Sequence, residues 1–258
     1  MNHNMIVIVP DDALRPPREA GHAGQKNVDG RPLYDVASSL IPAIAIYRLL
    51  SSALDNASRN GLDITKISRQ KASTFIFPPG HPRDGVIYVK HPAAENVYFT
   101  AASFHRLVFE HKVTEAVTIL MSLGATEIFI EHVQGWSREF AATLQVPISK
   151  AGVDVSGSGQ NTGNSSILYK AHLRGTTNPQ LPNSLVWYAH EPTWQAIADG
   201  RRHYGLSEFS LAVNYQDDYG INAKLKAAAQ QVDLNLGGAF QDHQATTWSM
   251  RGKFLMKP

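Results

Sequence analysis

The sequence predicts an α+β fold: a mainly antiparallel, twisted sheet with packed helices, in a single large domain. A chain of 258 residues is long enough to bury a full hydrophobic core without disulfides. Strand-like segments in the middle of the chain alternate apolar and polar residues, which is typical of antiparallel sheets with one solvated face. Strands alternate with helices only near the C-terminus, and this favours α+β over a doubly wound parallel sheet.

The first 70 residues are predicted to form an N-terminal arm and an apolar helix, and residues 71–258 the α+β body. A short strand over residues 5–9 precedes a stretch rich in Pro, Gly and charge at 10–32. A helix follows in VASSLIPAIAIYRLL (36–50), with Ser38 or Ser39 as its cap and Pro42 in its first turn.

The apolar side chains of this helix point nearly all round it, so it is either buried in the protomer or packed against a partner. Its 15 or so residues are fewer than the roughly 20 needed to span a bilayer. Changing Ile44 to Asp should unfold the chain if the helix is internal, and leave a folded monomer if it lies between protomers. The predicted association surface comprises Ile41, Ile44, Ile46, Tyr47, Leu49 and Leu50.

Further along, two β-rich runs flank a Pro/Gly loop. TFIF and VIYVK enclose PPGHPRDG within residues 73–92, which predicts a hairpin-like pair. His81 lies in this loop, where functional histidines often occur.

Residues 101–123 show helical periodicity, and Gly124 is placed to end the helix before a strand at 125–133. His105 lies in the middle of the apolar face, so we expect it to be buried and uncharged at pH 7. His111 is about 120° away around the helix, whereas a metal-binding pair on a helix is usually spaced i, i+4, as in H-E-x-x-H. The stretch therefore predicts core with a polar rim.

Several segments in the second half of the chain alternate apolar and polar residues. We predict an antiparallel pair from 150–156 and 167–174, a strand in NSLVWYAH, a helix in EPTWQAIADGRRHYG, and a strand in EFSLAVNY with Phe209, Leu211, Val213 and Tyr215 on one face. A helix over 221–234 and a final strand over 246–254 complete the chain.

Composition excludes several classes of function. There is no cysteine, hence no disulfide or thiolate chemistry, and a net charge of +2 without a dense basic run gives no reason to expect a nucleic-acid partner. P-loop, G-x-S-x-G, H-E-x-x-H and dinucleotide motifs are absent. We expect no cofactor and no bound metal. Neither a signal peptide nor a spanning segment is evident, so the expected location is cytoplasmic.

Two functional hypotheses remain. The first is a non-enzymatic protein that acts by association with a protein partner or by homo-oligomeric self-assembly. VDLNLGGAFQDHQATTWSMRGKF resembles, over a handful of residues, the LNLGG-containing membrane-inserting hairpin of the gasdermins. That resemblance implies a pore-forming version, in which strands perforate a membrane without a spanning helix. The alternative is a histidine-dependent hydrolase, acid–base or metal-assisted, with candidate residues His81, His105, His190 and His243.

Overall fold

The structure is a computed structural model that describes residues 5–11, 52, 63–136, 167–231 and 234–256. The predicted apolar helix with its six association residues, and the predicted strand at 150–156, lie outside the described residues. The α+β prediction is confirmed, because helices accompany two mostly antiparallel four-stranded sheets. The chain divides into two compact units, Met1–Phe104 with Gly220–Asp242 and His105–Tyr219 with His243–Pro258.

The sheet of the first unit has the strand order β2-β1-β3-β4. Strand β1 pairs in parallel with β2 and antiparallel with β3, which pairs antiparallel with β4. The Ser68 hydroxyl caps a one-turn helix, α1, by accepting a hydrogen bond from Lys71 N–H. The elements are β1 Met5–Val9, β2 Ile64–Ser68, α1 Arg69–Ala72, β3 Ile87–Lys90 and β4 Tyr98–Thr100.

The predicted TFIF–VIYVK hairpin is wrong. VIYVK contributes β3, but β3 pairs with β1 and β4, while TFIF makes only an isolated bridge between Ile76 and Val97. Phe75 and Phe77 instead turn their rings toward Tyr88 and Tyr98, with centroids 4.8 Å apart in the closest pairs. The packing of these rings against the buried face of the sheet outweighs the local preference of the segment for a strand.

LNLGG is not a hairpin in this structure. It follows helix α4, Ala223–Gln231, and makes an isolated bridge at Asn235, whose carbonyl accepts a hydrogen bond from Ile87 N–H. Gly237 has φ +86°, and a Cβ at this position would lie 2.7 Å from Thr100 Cβ. The glycine therefore permits close backbone packing against the first sheet.

The sheet of the second unit is antiparallel throughout, with the order β6-β5-β8-β7. It is accompanied by two helices, the longer of which begins directly after a 3-10 turn, Ala101–Ser103. The elements are α2 Phe104–Ser122, β5 Ala125–Gln134, β6 Ile167–His172, α3 Pro192–His203, β7 Glu208–Tyr215 and β8 Thr246–Phe254.

The apolar faces of the second unit are those that the sequence predicts. The four residues assigned to the apolar face of β7 are buried, and so are the apolar residues at helical spacing that share one face with His105: Val108, Phe109, Val113, Ala116, Ile119, Leu120 and Leu123. Helix α2 is followed by Gly124 at φ +88°, where a Cβ would lie 2.5 Å from the Thr176 carbonyl oxygen. A left-handed residue and close backbone contact together require glycine at this helix end.

The strand predicted in NSLVWYAH is wrong, because the segment ends in a 3-10 turn, Tyr188–His190. The backbone N–H groups of Val186, Trp187 and Tyr188, which a strand would direct into a ladder, all donate to the Glu115 carboxylate. A side chain 71 to 73 residues away in sequence therefore sets the local conformation.

Tyr169 on β6 provides a stability prediction. In the described part of the chain its hydroxyl is buried without a hydrogen-bond partner, and burial raises its pKa to about 12. Because an unsatisfied buried hydroxyl is costly, Tyr169→Phe should stabilise the protein by about 1 kcal/mol. Urea denaturation measures this difference, and a loss of stability in the variant would show that the hydroxyl is satisfied in solution.

No helix in the described part of the chain is long and apolar enough to cross a membrane.

Candidate functional site

His81 is held by an aromatic hydroxyl in the first unit. Its Nδ1 lies 2.6 Å from the Tyr88 hydroxyl, which also accepts a hydrogen bond from Arg83 N–H at 2.7 Å. The Tyr88 proton is therefore directed at His81 Nδ1. Burial, with a smaller contribution from the Arg83 charge, lowers the pKa of His81. In this arrangement the imidazole fastens the loop to β3.

His190 lies in the 3-10 turn before α3, and its side chain is exposed. Its backbone N–H donates to the Trp187 carbonyl at 2.8 Å, which closes the turn.

The other two predicted histidines meet in the second unit. The His105 and His243 rings are 5.1 Å apart, and Tyr215 contacts both, at 5.8 Å and 5.6 Å. His105 is completely buried, as predicted, and its Nδ1 lies 2.7 Å from the Tyr215 hydroxyl. Helix α2, strand β7 and the segment before β8 position these three side chains, which we call the His105 cluster.

The chemistry available in the His105 cluster is restricted by burial. His105 has no surface that a substrate could reach, and burial strongly raises the pKa of Tyr215. His243 Nε2 is buried and has no hydrogen-bond partner in the described part of the chain. The described residues contain no group of three or more His, Asp or Glu side chains that could hold a metal ion.

A second polar centre lies on the same helix and was missed by sequence reasoning. Glu115 is 7 % exposed, and its two carboxylate oxygens accept three backbone hydrogen bonds at 2.7–2.8 Å from residues 186–188. A buried carboxylate is stable only when such donors replace its lost hydration. Glu115 therefore fixes the turn that leads into α3.

Lys112 lies one helical turn before Glu115 and is 8 % exposed. Its ammonium group pairs with the Glu191 carboxylate, donates to the Asn214 carbonyl at 2.8 Å, and lies 5.0 Å from the Trp187 ring centre. The buried cation therefore joins α2 to the start of α3 and to β7. We call Lys112, Glu115 and Glu191 with their partners the Lys112–Glu115 cluster.

His111 borders this cluster. Its Nδ1 accepts a hydrogen bond from Trp187 Nε1–H at 3.3 Å, so the neutral ring carries its proton on Nε2. Burial lowers the pKa of His111, and the Glu115 charge opposes this shift in part.

This lowered pKa predicts a pH dependence of stability. The unfolded chain takes up the His111 proton at higher pH than the folded chain, so stability rises with pH over this window. The contribution is fully present above about pH 6.5 and is lost as pH falls through the folded pKa. Urea denaturation of wild type and His111→Gln at a series of pH values tests this. All other titrating groups are the same in the two proteins, so the difference between them reports His111. We expect the free energy of unfolding to fall less steeply with decreasing pH in the variant than in wild type. Equal slopes of unfolding free energy against pH would contradict the prediction.

The solvated face of the second sheet carries a row of paired charges. Arg251 makes a two-pronged ion pair with Glu131, and Phe129 lies between the cations of Arg251 and Lys170, at 5.3 Å and 5.2 Å. The Arg251 hydrogen bonds lower the pKa of Glu131. These pairs cover β5, β6 and β8, and no charged side chain of β7 is among them.

No protein-family model matches this chain, and no curated protein or solved structure is significantly similar to it.

Proposed function

We propose that this protein acts by association with other protein chains, most simply copies of itself, and not as an enzyme. The observation that carries the proposal is that strand β7 forms one edge of the second sheet, and in the described part of the chain no hydrogen bond reaches its outward backbone groups at Glu208, Ser210 and Ala212. The edge of a sheet presents unpaired N–H and C=O groups, which another strand can pair with. In contrast, His81 and His105, two of the four candidate catalytic histidines, hydrogen-bond to tyrosine hydroxyls within the core or beside it.

The test is the molar mass in solution across a wide range of protein concentration, measured by sedimentation velocity and light scattering. We expect a multiple of the single-chain mass that increases with concentration. A monomer at every concentration, under conditions where the protein is shown to be folded, would contradict self-association.

The predicted association surface, Ile41 to Leu50, supplies a second arm of this test. We propose that it contributes to the same assembly. Ile44→Asp should then give a folded monomer, whereas an unfolded variant would place the helix inside the protomer. Circular dichroism together with light scattering separates the two outcomes.

Membrane perforation is one version of the proposed assembly. Its support is the alternation of buried and exposed side chains along β7 and β8, the pattern that strands need when one face meets lipid and the other meets water. The test is release of a trapped dye from vesicles of anionic phospholipid. Release that rises steeply with protein concentration supports perforation, and intact vesicles limit the proposal to association in solution.

A histidine-dependent hydrolase is the second candidate. The observation that favours it is the convergence of His105 and His243, with His243 Nε2 free of a partner in the described residues. Hydrolysis of a panel of activated esters, lost in His243→Phe but retained in His190→Phe, would support this candidate. Activity that is absent, or equal in both variants, would remove it.

A further inference from the structure

We propose that the outer edge of β7 pairs antiparallel with β7 of a second copy of this chain, about a two-fold axis at Ser210. This inference rests on the proposed association and names its surface and its partner. The pairing would extend the second sheet from four strands to eight across the two copies.

The backbone of β7 shows which groups are available. Phe254 N–H donates to the Ser207 carbonyl at 2.8 Å, and Phe209 then opposes Gly252 in the same ladder. Because bonded residues alternate along an antiparallel pair, the odd-numbered residues of β7 bond β8 and the even-numbered residues point away from it. The Lys112 hydrogen bond to the Asn214 carbonyl agrees, since it reaches β7 from the open side.

The open stretch therefore runs from Glu208 to Ala212. In the described part of the chain, no hydrogen bond reaches the outward backbone groups of Glu208, Ser210 or Ala212 from outside the sheet. Asn214 is the first outward residue whose carbonyl is occupied. Pairing centred on Ser210 uses the open residues alone and leaves the Lys112 contact intact.

Side-chain chemistry favours a second β7 as the occupant. Edge strands are normally protected by Lys or Pro, and EFSLAVNY contains neither. A two-fold at Ser210 places Phe209 opposite Leu211 of the second copy on the apolar face. On the solvated face it places Glu208 opposite Ala212, so no like charges are directly opposed. β6, the other edge of this sheet, carries Lys170 and His172, which is the usual protection.

The absence of cysteine gives a direct test of this geometry. In Ser210→Cys the only thiol of each chain would face its counterpart across a bonded pair, where Cα atoms are about 5.5 Å apart. That separation is within the range of about 4.4 to 6.8 Å that a disulfide spans. Mild oxidation should cross-link most of the protein into a covalent dimer. The matched control is Lys253→Cys, an exposed position on the central strand β8, which should not cross-link.

A second variant tests the hydrogen bonds. Ala212→Pro removes an N–H that points away from β8, so it should fold normally and lose the association. Ala212→Thr keeps the N–H and should associate as wild type does. Sedimentation velocity measures the mass, and circular dichroism confirms folding.

The outcomes separate this inference from the proposed function. Cross-linking at 210 but not at 253, with loss of association in Ala212→Pro, supports both. Association that persists in folded Ala212→Pro, without cross-linking at 210, overturns the β7 pairing and leaves the proposed function intact. A wild-type monomer at every concentration overturns the β7 pairing and self-association together.

Discussion

Replacing Glu115 with alanine is expected to destabilise the second unit by about 3 to 5 kcal/mol, because three N–H donors, one buried and two half-buried, lose their acceptor together. Each of these N–H groups then carries the cost of a donor that has lost its hydrogen bond. The turn that leads into α3 should open first. All four tryptophans of the chain belong to the second unit, so intrinsic fluorescence during urea unfolding reports this unit specifically.

Two further variants make the Glu115 experiment decisive. Glu115→Gln should be intermediate, because one carbonyl oxygen can keep the two bonds that Oε1 accepts while the amide N–H₂ opposes Val186 N–H. Glu110→Ala removes a carboxylate of the same helix that pairs with Arg106 at i,i+4, and should cost less than about 1 kcal/mol. Equal losses in Glu115→Ala and Glu110→Ala would contradict the role assigned to Glu115.

Replacing Arg201 with methionine is expected to cost a similar amount, about 3 to 5 kcal/mol. The Arg201 guanidinium is buried, and burial lowers its pKa. It donates to the carbonyls of Leu123 at 3.1 Å, Leu206 at 3.3 Å and Leu255 at 2.5 Å. One side chain thus joins the end of α2, the loop before β7 and the end of β8, and methionine supplies none of these hydrogen bonds.

The control for this experiment is the adjacent residue. Arg202 is exposed, and Arg202→Met should change stability by less than about 0.5 kcal/mol. Arg201→Lys keeps the charge but cannot reach three divergent carbonyls, so it should behave more like Arg201→Met than like wild type. If Arg201→Lys is as stable as wild type, the positive charge and not the planar geometry of the guanidinium accounts for the stabilisation by Arg201. Fluorescence-monitored urea denaturation measures all three variants.

The elements with strong periodicity could be predicted from sequence because burial repeats with the period of the backbone. Helix α2 has a broad apolar face at 3.6-residue spacing, and Gly124 marks its end. Strand β7 alternates with period two, and its four predicted inward residues are buried. Burial of His105 follows from the same argument, since its position on the helix face is fixed by its number.

Strands β2 and β4 and the 186–190 turn could not be predicted in this way. Strand β4 has three residues and β2 has five, which is too few for a period to stand out. The turn has the composition of a strand, but Glu115 accepts the N–H groups that a ladder would use. An inward-pointing carboxylate beside a lysine on an apolar helix was the available signal, and it identifies a buried charge without identifying its partner.

The sequence by itself determined the α+β class, the apolar faces of α2 and β7, and the absence of thiol chemistry. These properties depend on composition and on neighbours within a few residues. Only the tertiary structure decided that the strands form two sheets, that His105 meets His243, and that Glu115 and Arg201 bind distant backbone groups. The physical reason is that buried polar groups need hydrogen-bond partners, and in a folded chain these partners can come from residues far away in the sequence.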